Sequence, residues 1–295
     1  VRAVELLGMG SESFGEVAVR DDFTIDVQSL HDSIRSDRAH GHLPICVVAN
    51  AGTVNTGAID PLEELADLCR DEGLWLHVDG AFGALAALDP DSSNLLKGME
   101  RADSLAFDLH KWLQVPIEAA CVLVRDPADH RRPFSPPASY LSTFERGIAS
   151  GDHFFAPLGP QLTRGFRALK VWLALRAHGA VAYRLLVEQN VRQARRLEAL
   201  VTEHDALELV AGASLNVVCF RYAPAGVPER DLDDLNRELL QRVQESGVAA
   251  PSSTVLNGRF VLRCAFTNQR TRLEDLDLFV DAVVRLGGEI GRDAT

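Results

Sequence analysis

The sequence predicts an α/β protein, with a parallel-rich sheet in its first part and a smaller α/β region at its C-terminal end. Three observations predict it. Short apolar, β-branched runs recur at 44–52, 74–81, 104–108 and 121–126. Helical spacing follows the first of them, and alternation of that kind is how parallel strands are joined. Beyond residue 160 two long amphipathic segments lead into a second alternation of strand and helix.

The opening residues read like the middle of a domain, a helical end at AVELLG and then EVAVRDDFTID, with Val1 where a methionine would stand. They raise the expectation that the chain is a fragment or a truncated gene product. GMGSESFG, 8–15, lacks the G-x-G-x-x-G spacing and reads as a turn. RAHGHLP reads as a loop, with His40 and His42 not placed as metal ligands.

PICVVANAG, 44–52, is a buried strand of the parallel type, ended by glycine. Pro61 stands where a helix begins, with Asp60 as its N-cap; Leu62, Leu65, Ala66 and Cys69 keep helical spacing until Gly73 stops it. LWLHVDGA is the next strand, 104–108 a short third and CVLVRD a fourth. Ligands of such sheets bind at the carboxyl ends of the strands, and Asp79 lies late in its strand. Residues 127–160, rich in Pro, Gly and Ser, form a long irregular connection of the kind that makes lids. Two helices follow, 162–179 and 181–204, broken at a glycine. The tail then reads strand (LNVVCFRY), helix (ERDLDDLNRELLQRVQESG), strand (VLNGRFVLRCAF) and helix (TRLEDLDLFVDAVVRLG), a small α/β domain of its own.

Composition narrows the function. The chain has 295 residues, 46 % hydrophobic and 24 % charged, enough for two ordinary domains. Its net charge of −12 argues against nucleic acid and anionic membrane surfaces, which need a positive field to hold them. No apolar run reaches the length of a membrane span and no signal peptide is visible, so the expected location is cytoplasmic. The five cysteines lie far apart without metal-type spacing and read as buried thiols. A small molecule is the partner that remains.

In FDLHKWLQVP, 107–116, Lys111 sits among Trp112, Leu113 and Val115. An ammonium in such company either reaches out to water or has been placed where burial makes it a better nucleophile. Asp79, in WLHVDGAFGA, is either a turn residue before Gly80 or a functional carboxylate. Together the two fit pyridoxal 5'-phosphate, which needs a lysine for its aldehyde and a carboxylate to keep its ring nitrogen protonated. Strands ending at Asp79 and near Asp108 place their tips on one side of a sheet, with room for a flat ring beside Gly80, Ala81 and Gly83. Ala81 is small enough to touch the ring, or is ordinary packing. His110 is a donor to the phosphate, or a buried hydrogen-bonded histidine.

The stretch VVANAGTVNTGAIDPLEELADLCRDEGLWLHVDGAFGA, with ADSLAFDLHKWLQVP after it, resembles the group II pyridoxal-phosphate-dependent decarboxylases, which include aromatic-L-amino-acid and glutamate decarboxylases. The resemblance continues through GFRALKVWLALRAHG, LNVVCFRY and FTNQRT. It implies fold type I, the aspartate-aminotransferase architecture, working as a homodimer with sites at the subunit boundary. Residues 1–160 are then the C-terminal part of the large cofactor-binding domain, and 161–295 the bridging helices and small domain. By the same resemblance Lys111 carries the cofactor, Asp79 pairs with its ring nitrogen, Ala81 packs on the ring, Thr53 lies near it and His110 lies by the phosphate. An L-amino acid is the implied substrate, an aromatic one on the branch the motifs look closest to.

Two departures qualify the resemblance. The family's upstream phosphate loop and the histidine on the opposite ring face have no match here, which predicts weak cofactor retention. Where animal aromatic decarboxylases carry a mobile-loop tyrosine that helps protonate the carbanion, HFFAP puts Phe154 or Phe155, and aldehyde formation becomes an alternative outcome. Two rival readings stand beside the decarboxylase: another fold-type-I enzyme (aminotransferase, desulfurase or aldolase), and a truncated, non-catalytic homologue. No G-x-S-x-G occurs to support a serine hydrolase.

Overall fold

In a computed structural model the described residues are 1–134, 145–147, 150 and 155–293. Two four-stranded sheets organise them. The first takes β1 (Cys46–Asn50), β2 (Trp75–Asp79), β3 (Ser104–Asp108) and β4 (Ala120–Val124) in that order. β1, β2 and β3 run parallel, and β4 returns antiparallel to β3.

Burial alternates along β1 and β2. Val47, Ala49, Leu76 and Val78 face the core, whereas Cys46 and Val48 lie on the exposed side. A strand that looks buried throughout in sequence is therefore covered on one face. The cover comes from α3 (Leu62–Glu72), which inserts Leu62, Leu65, Ala66 and Cys69. Full burial of a leucine side chain contributes about 1.5–3 kcal/mol, so Leu65, with no exposed area, anchors the helix.

Asp60 does not cap that helix. Pro61 occupies the cap position without a side-chain bond. The buried Asp60 carboxylate instead accepts from the backbone of Ile25 (2.8 Å) and Asn50 and from Asn50 Nδ2 (3.2 Å), stapling the end of β1 to the incoming chain. Short helix α1 (Arg2–Leu6) opens the chain. It is followed by α2 (Val27–Ala39), which has no counterpart in the sequence reading. Asp26 caps α2 by accepting from Gln28 N (3.0 Å) and Ser29 N (3.3 Å), and only Leu30 and Ile34 are buried.

After the short helix α4 (Pro127–Arg131), the long helix α5 (Arg167–Thr202) bends where the glycine break was expected, at Gly179 (φ 77°, ψ 156°). The second sheet is antiparallel, ordered β5 (Leu207–Ser214), β6 (Val217–Tyr222), β8 (Arg259–Ala265), β7 (Ser252–Leu256). β5 was not expected. The single strand expected at VLNGRFVLRCAF is a hairpin turning at Asn257–Gly258, both at positive φ (50° and 77°), the two-residue turn that matches strand twist. One face of this sheet (Val218, Phe220, Tyr222) packs under α5, α6 (Glu229–Glu245) and α7 (Leu273–Asp293). The other face (Val217, Cys219, Val261) meets Phe23 and Phe82 from the first half of the chain.

Among the described residues no helix is long and apolar enough to cross a membrane.

Candidate active site

Parallel register brings the sequence-selected residues to one edge of the first sheet. Asn50 stands beside Asp79, Asp79 beside Ala106, and β3 runs on to Asp108, opposite Ala120. With strands roughly 4.8 Å apart and a rise of about 3.3 Å per residue, the Cα atoms of Asp79 and Asp108 stand about 8 Å apart.

Asp79 is exposed, and its Oδ1 accepts from Ala81 N at 3.0 Å, which leaves Oδ2 out of that bond. Ala81 in turn accepts from Asp108 N at 3.2 Å, and Gly80 N donates to Ala106 O at 2.8 Å. The two strand tips are thus bonded to one another. Phe82 stacks on Trp112 with ring centroids 5.3 Å apart, tying the Asp79 turn to the Lys111 turn.

Lys111 projects away from its apolar neighbours. Trp112, Leu113 and Val115 are buried, while the lysine side chain is 43 % exposed and its Nζ lies 2.7 Å from Asp108 Oδ2. Of the two alternatives for an ammonium in that company, the side chain takes the route to water. Turning the chain after β3 makes this possible: Leu109 N and His110 N both donate to Ala119 O (2.9 and 3.2 Å), and Trp112 drives its indole inward, where Nε1 donates to Asn190 Oδ1 of α5 at 3.1 Å.

His110 Nδ1 lies 3.0 Å from Ala119 O and 3.3 Å from Ala119 N. If Nδ1 donates to that carbonyl, Nε2 can donate to an anion only when both ring nitrogens carry a proton. Thr53 closes the turn that follows β1: its hydroxyl meets Thr56 Oγ1 at 2.9 Å and accepts from Ala58 N at 3.1 Å. The second sheet holds the same turn, with Ser214 Oγ donating to Gly57 O (2.7 Å) and Arg263 Nε to Val54 O (2.8 Å). His77, two residues before Asp79 on the same strand face, lies 2.8 Å from Ser104 Oγ. Burial pushes its imidazole below the usual histidine range, with the nearby Asp79 charge opposing.

The donor set fits pyridoxal phosphate chemically: a reachable amine, an exposed carboxylate on the neighbouring strand, a small residue between them and an imidazole beside the amine. The sequence profile of the pyridoxal-dependent decarboxylase conserved domain matches residues 3–223. The chain belongs to that family. The cofactor of the family is pyridoxal phosphate, and the fold is the type I architecture the resemblance implied. Among curated relatives, the aromatic-L-amino-acid decarboxylase of Bacillus atrophaeus is 37 % identical over 98 % of this chain and 60 % of its own length. The phenylacetaldehyde synthase of a Rosa hybrid cultivar is 33 % identical over 90 % of this chain and 54 % of its own. The Oryza sativa TDC structure with PLP and tryptamine superposes with a TM-score of 0.89 at 27 % identity, covering 98 % of this chain and 60 % of that one. The chain therefore spans a little over half the length of these decarboxylase-family relatives.

Two residues of this site escaped the sequence reading. Asp108 was visible only as a strand end, and Asn190 as one polar position in a long helix. The loop phenylalanines divide: Phe154 lies outside the described residues, and Phe155 is 67 % exposed.

Proposed function

We propose that this chain carries the lysine and ring-nitrogen carboxylate of a pyridoxal-phosphate site and decarboxylates an L-amino acid, an aromatic one, to the amine and carbon dioxide. The reading rests on Asp79 ending β2 while Lys111 follows, three residues on, the end of the neighbouring parallel strand β3, and on a relative named as an aromatic-L-amino-acid decarboxylase. When bound, the cofactor supplies an aldehyde and a ring that accepts the electron pair left by departing carbon dioxide. Lys111 offers the amine. Asp79, fixed through Ala81 N to Oδ1, holds a proton at the ring nitrogen with its other oxygen. Ala81 leaves space against the ring face, His110 donates to the phosphate, and Thr53 shapes the turn at the rim.

A homodimeric, cytoplasmic working form belongs to the same proposal. Exposed Phe155, Leu162, Phe166 and Trp172 line an open groove of about 760 Å³, surface of the kind that a second subunit covers.

The test is reduction with borohydride after incubation with pyridoxal phosphate, followed by peptide mapping and a screen of L-amino acids for carbon dioxide release. Label on the Lys111 peptide and release from an aromatic substrate are the expected results; label elsewhere would sink the assignment. A second reading has support of its own: neither Phe154 nor Phe155, the two candidates for the loop position, has a proton to give, and a relative 33 % identical is a phenylacetaldehyde synthase. In that course dioxygen and water are consumed, and aldehyde, ammonia and hydrogen peroxide leave with the carbon dioxide. Product analysis separates the two, since only the first releases the amine without consuming oxygen.

A further inference from the structure

The carboxylate touching Lys111 is Asp108, not Asp79. Nζ and Oδ2 are 2.7 Å apart, and the Asp108 side chain is only 18 % exposed. The backbone at both ends of this pair is held in place. Asp108 is fixed at the tip of β3 by its N–H to Ala81 O and by pairing with Ala120. Lys111 is fixed by the turn that Ala119 O closes and by the buried Trp112 beside it. Asp79 Oδ1 is engaged with its own turn.

A lysine that forms and releases a covalent bond spends part of its working cycle as a free amine. A flexible four-carbon stem, nearly half exposed, would then sample many rotamers, and recovering one orientation costs side-chain entropy. A partly buried carboxylate within hydrogen-bond distance of the ammonium removes that freedom.

We propose that Asp108 is a positioning residue that anchors Lys111 as an ammonium at the site whenever the amine is not covalently engaged, before the cofactor is taken up and after substrate has displaced the lysine. The inference rests on the reading of Lys111 as the cofactor lysine for its purpose, but the ion pair itself is testable without any cofactor.

The experiment is competitive labelling of the cofactor-free chain with trace acetic anhydride between pH 7 and 11, with the Lys111 peptide quantified by mass spectrometry. Asp108→Asn is expected to raise Lys111 labelling about fivefold near pH 7.5. The difference should narrow as pH rises through and beyond the ordinary lysine range, where the amine loses its proton and the ion pair with it. Asp79→Asn removes the same charge nearby without touching the amine and is expected to leave labelling close to wild type. Equal labelling in wild type and Asp108→Asn, or the same rise in both variants, overturns the proposal. Should Asp108→Asn fail to fold, wild-type protein still decides. A protected lysine ammonium signal in ¹⁵N NMR at neutral pH, absent in Lys111→Arg, supports the anchor, and its absence from wild type defeats it. Both readouts stand whichever lysine borohydride marks, so failure of the anchor and failure of the cofactor assignment are told apart.

Discussion

The indole of Trp112 lies flat on the ring of Phe82, centroids 5.3 Å apart and planes within 10°. One ring follows the proposed cofactor lysine in sequence, and the other lies three residues beyond the proposed ring-nitrogen carboxylate. The indole also donates to Asn190, whose amide donates to Gln193 Oε1 at 2.9 Å. The two site turns are thus fastened to each other and to α5.

Trp112→Phe keeps a ring against Phe82 but leaves the buried Asn190 Oδ1 without its donor. The expected loss is about 1–3 kcal/mol in urea unfolding. With Asn190→Leu added, the double variant should lose less than the two single losses summed, because each single change breaks the same indole bond, although Asn190→Leu also takes the donor from Gln193 Oε1. Strictly additive losses in the double variant would show that the indole bond contributes nothing.

Asp79→Asn should separate chemistry from stability. The side chain is exposed, so unfolding should shift by no more than about 0.5 kcal/mol. Decarboxylation should slow by about 10²- to 10⁴-fold, the range for a lost proton-holding group. A kcat near wild type would remove Asp79 from the reaction.

Gly57→Ala tests the grip of the second sheet on the turn that carries Thr53. Its φ is +76°, and an added Cβ would lie 2.5 Å from Ser214 O. The expected cost exceeds about 2 kcal/mol, from positive-φ strain and the clash together. Gly73→Ala, also at positive φ (+67°) but with open space around the new methyl, should cost only about 1–2 kcal/mol. Equal costs at the two positions would mean that the close approach is absent in solution.

His77 predicts a pH dependence. Burial depresses its folded titration below the usual value of 6.5, so the unfolded chain binds a proton first as pH falls. Its contribution is present above pH 6.5 and is lost as pH drops through the lowered folded value. Urea midpoints should therefore fall between pH 7.5 and 5.5, and His77→Gln should flatten that slope; an unchanged slope in the variant would assign the effect elsewhere.

Much of the first sheet was legible because its strands are short apolar runs ending in glycine or a charged residue, and parallel register then carries Asp79 and Asp108 to one edge. Long-range pairing was not. α2 buries only Leu30 and Ile34, too few to produce a visible stripe, and β5 is largely half-exposed with a glycine inside it. The Asn257–Gly258 hairpin was there to be read, but continuous apolar character on both sides made one strand of two. Asp60 shows the other limit. Its local pattern is that of a helix cap, and tertiary structure spends its carboxylate on Ile25 and Asn50 instead.

The turn after β1 is held by side chains more than 150 residues further along, Ser214 on Gly57 and Arg263 on Val54. Those two bonds tether the C-terminal sheet to the rim of the first. Displacement of the C-terminal sheet from the first would either break those bonds or carry the Thr53 turn with it.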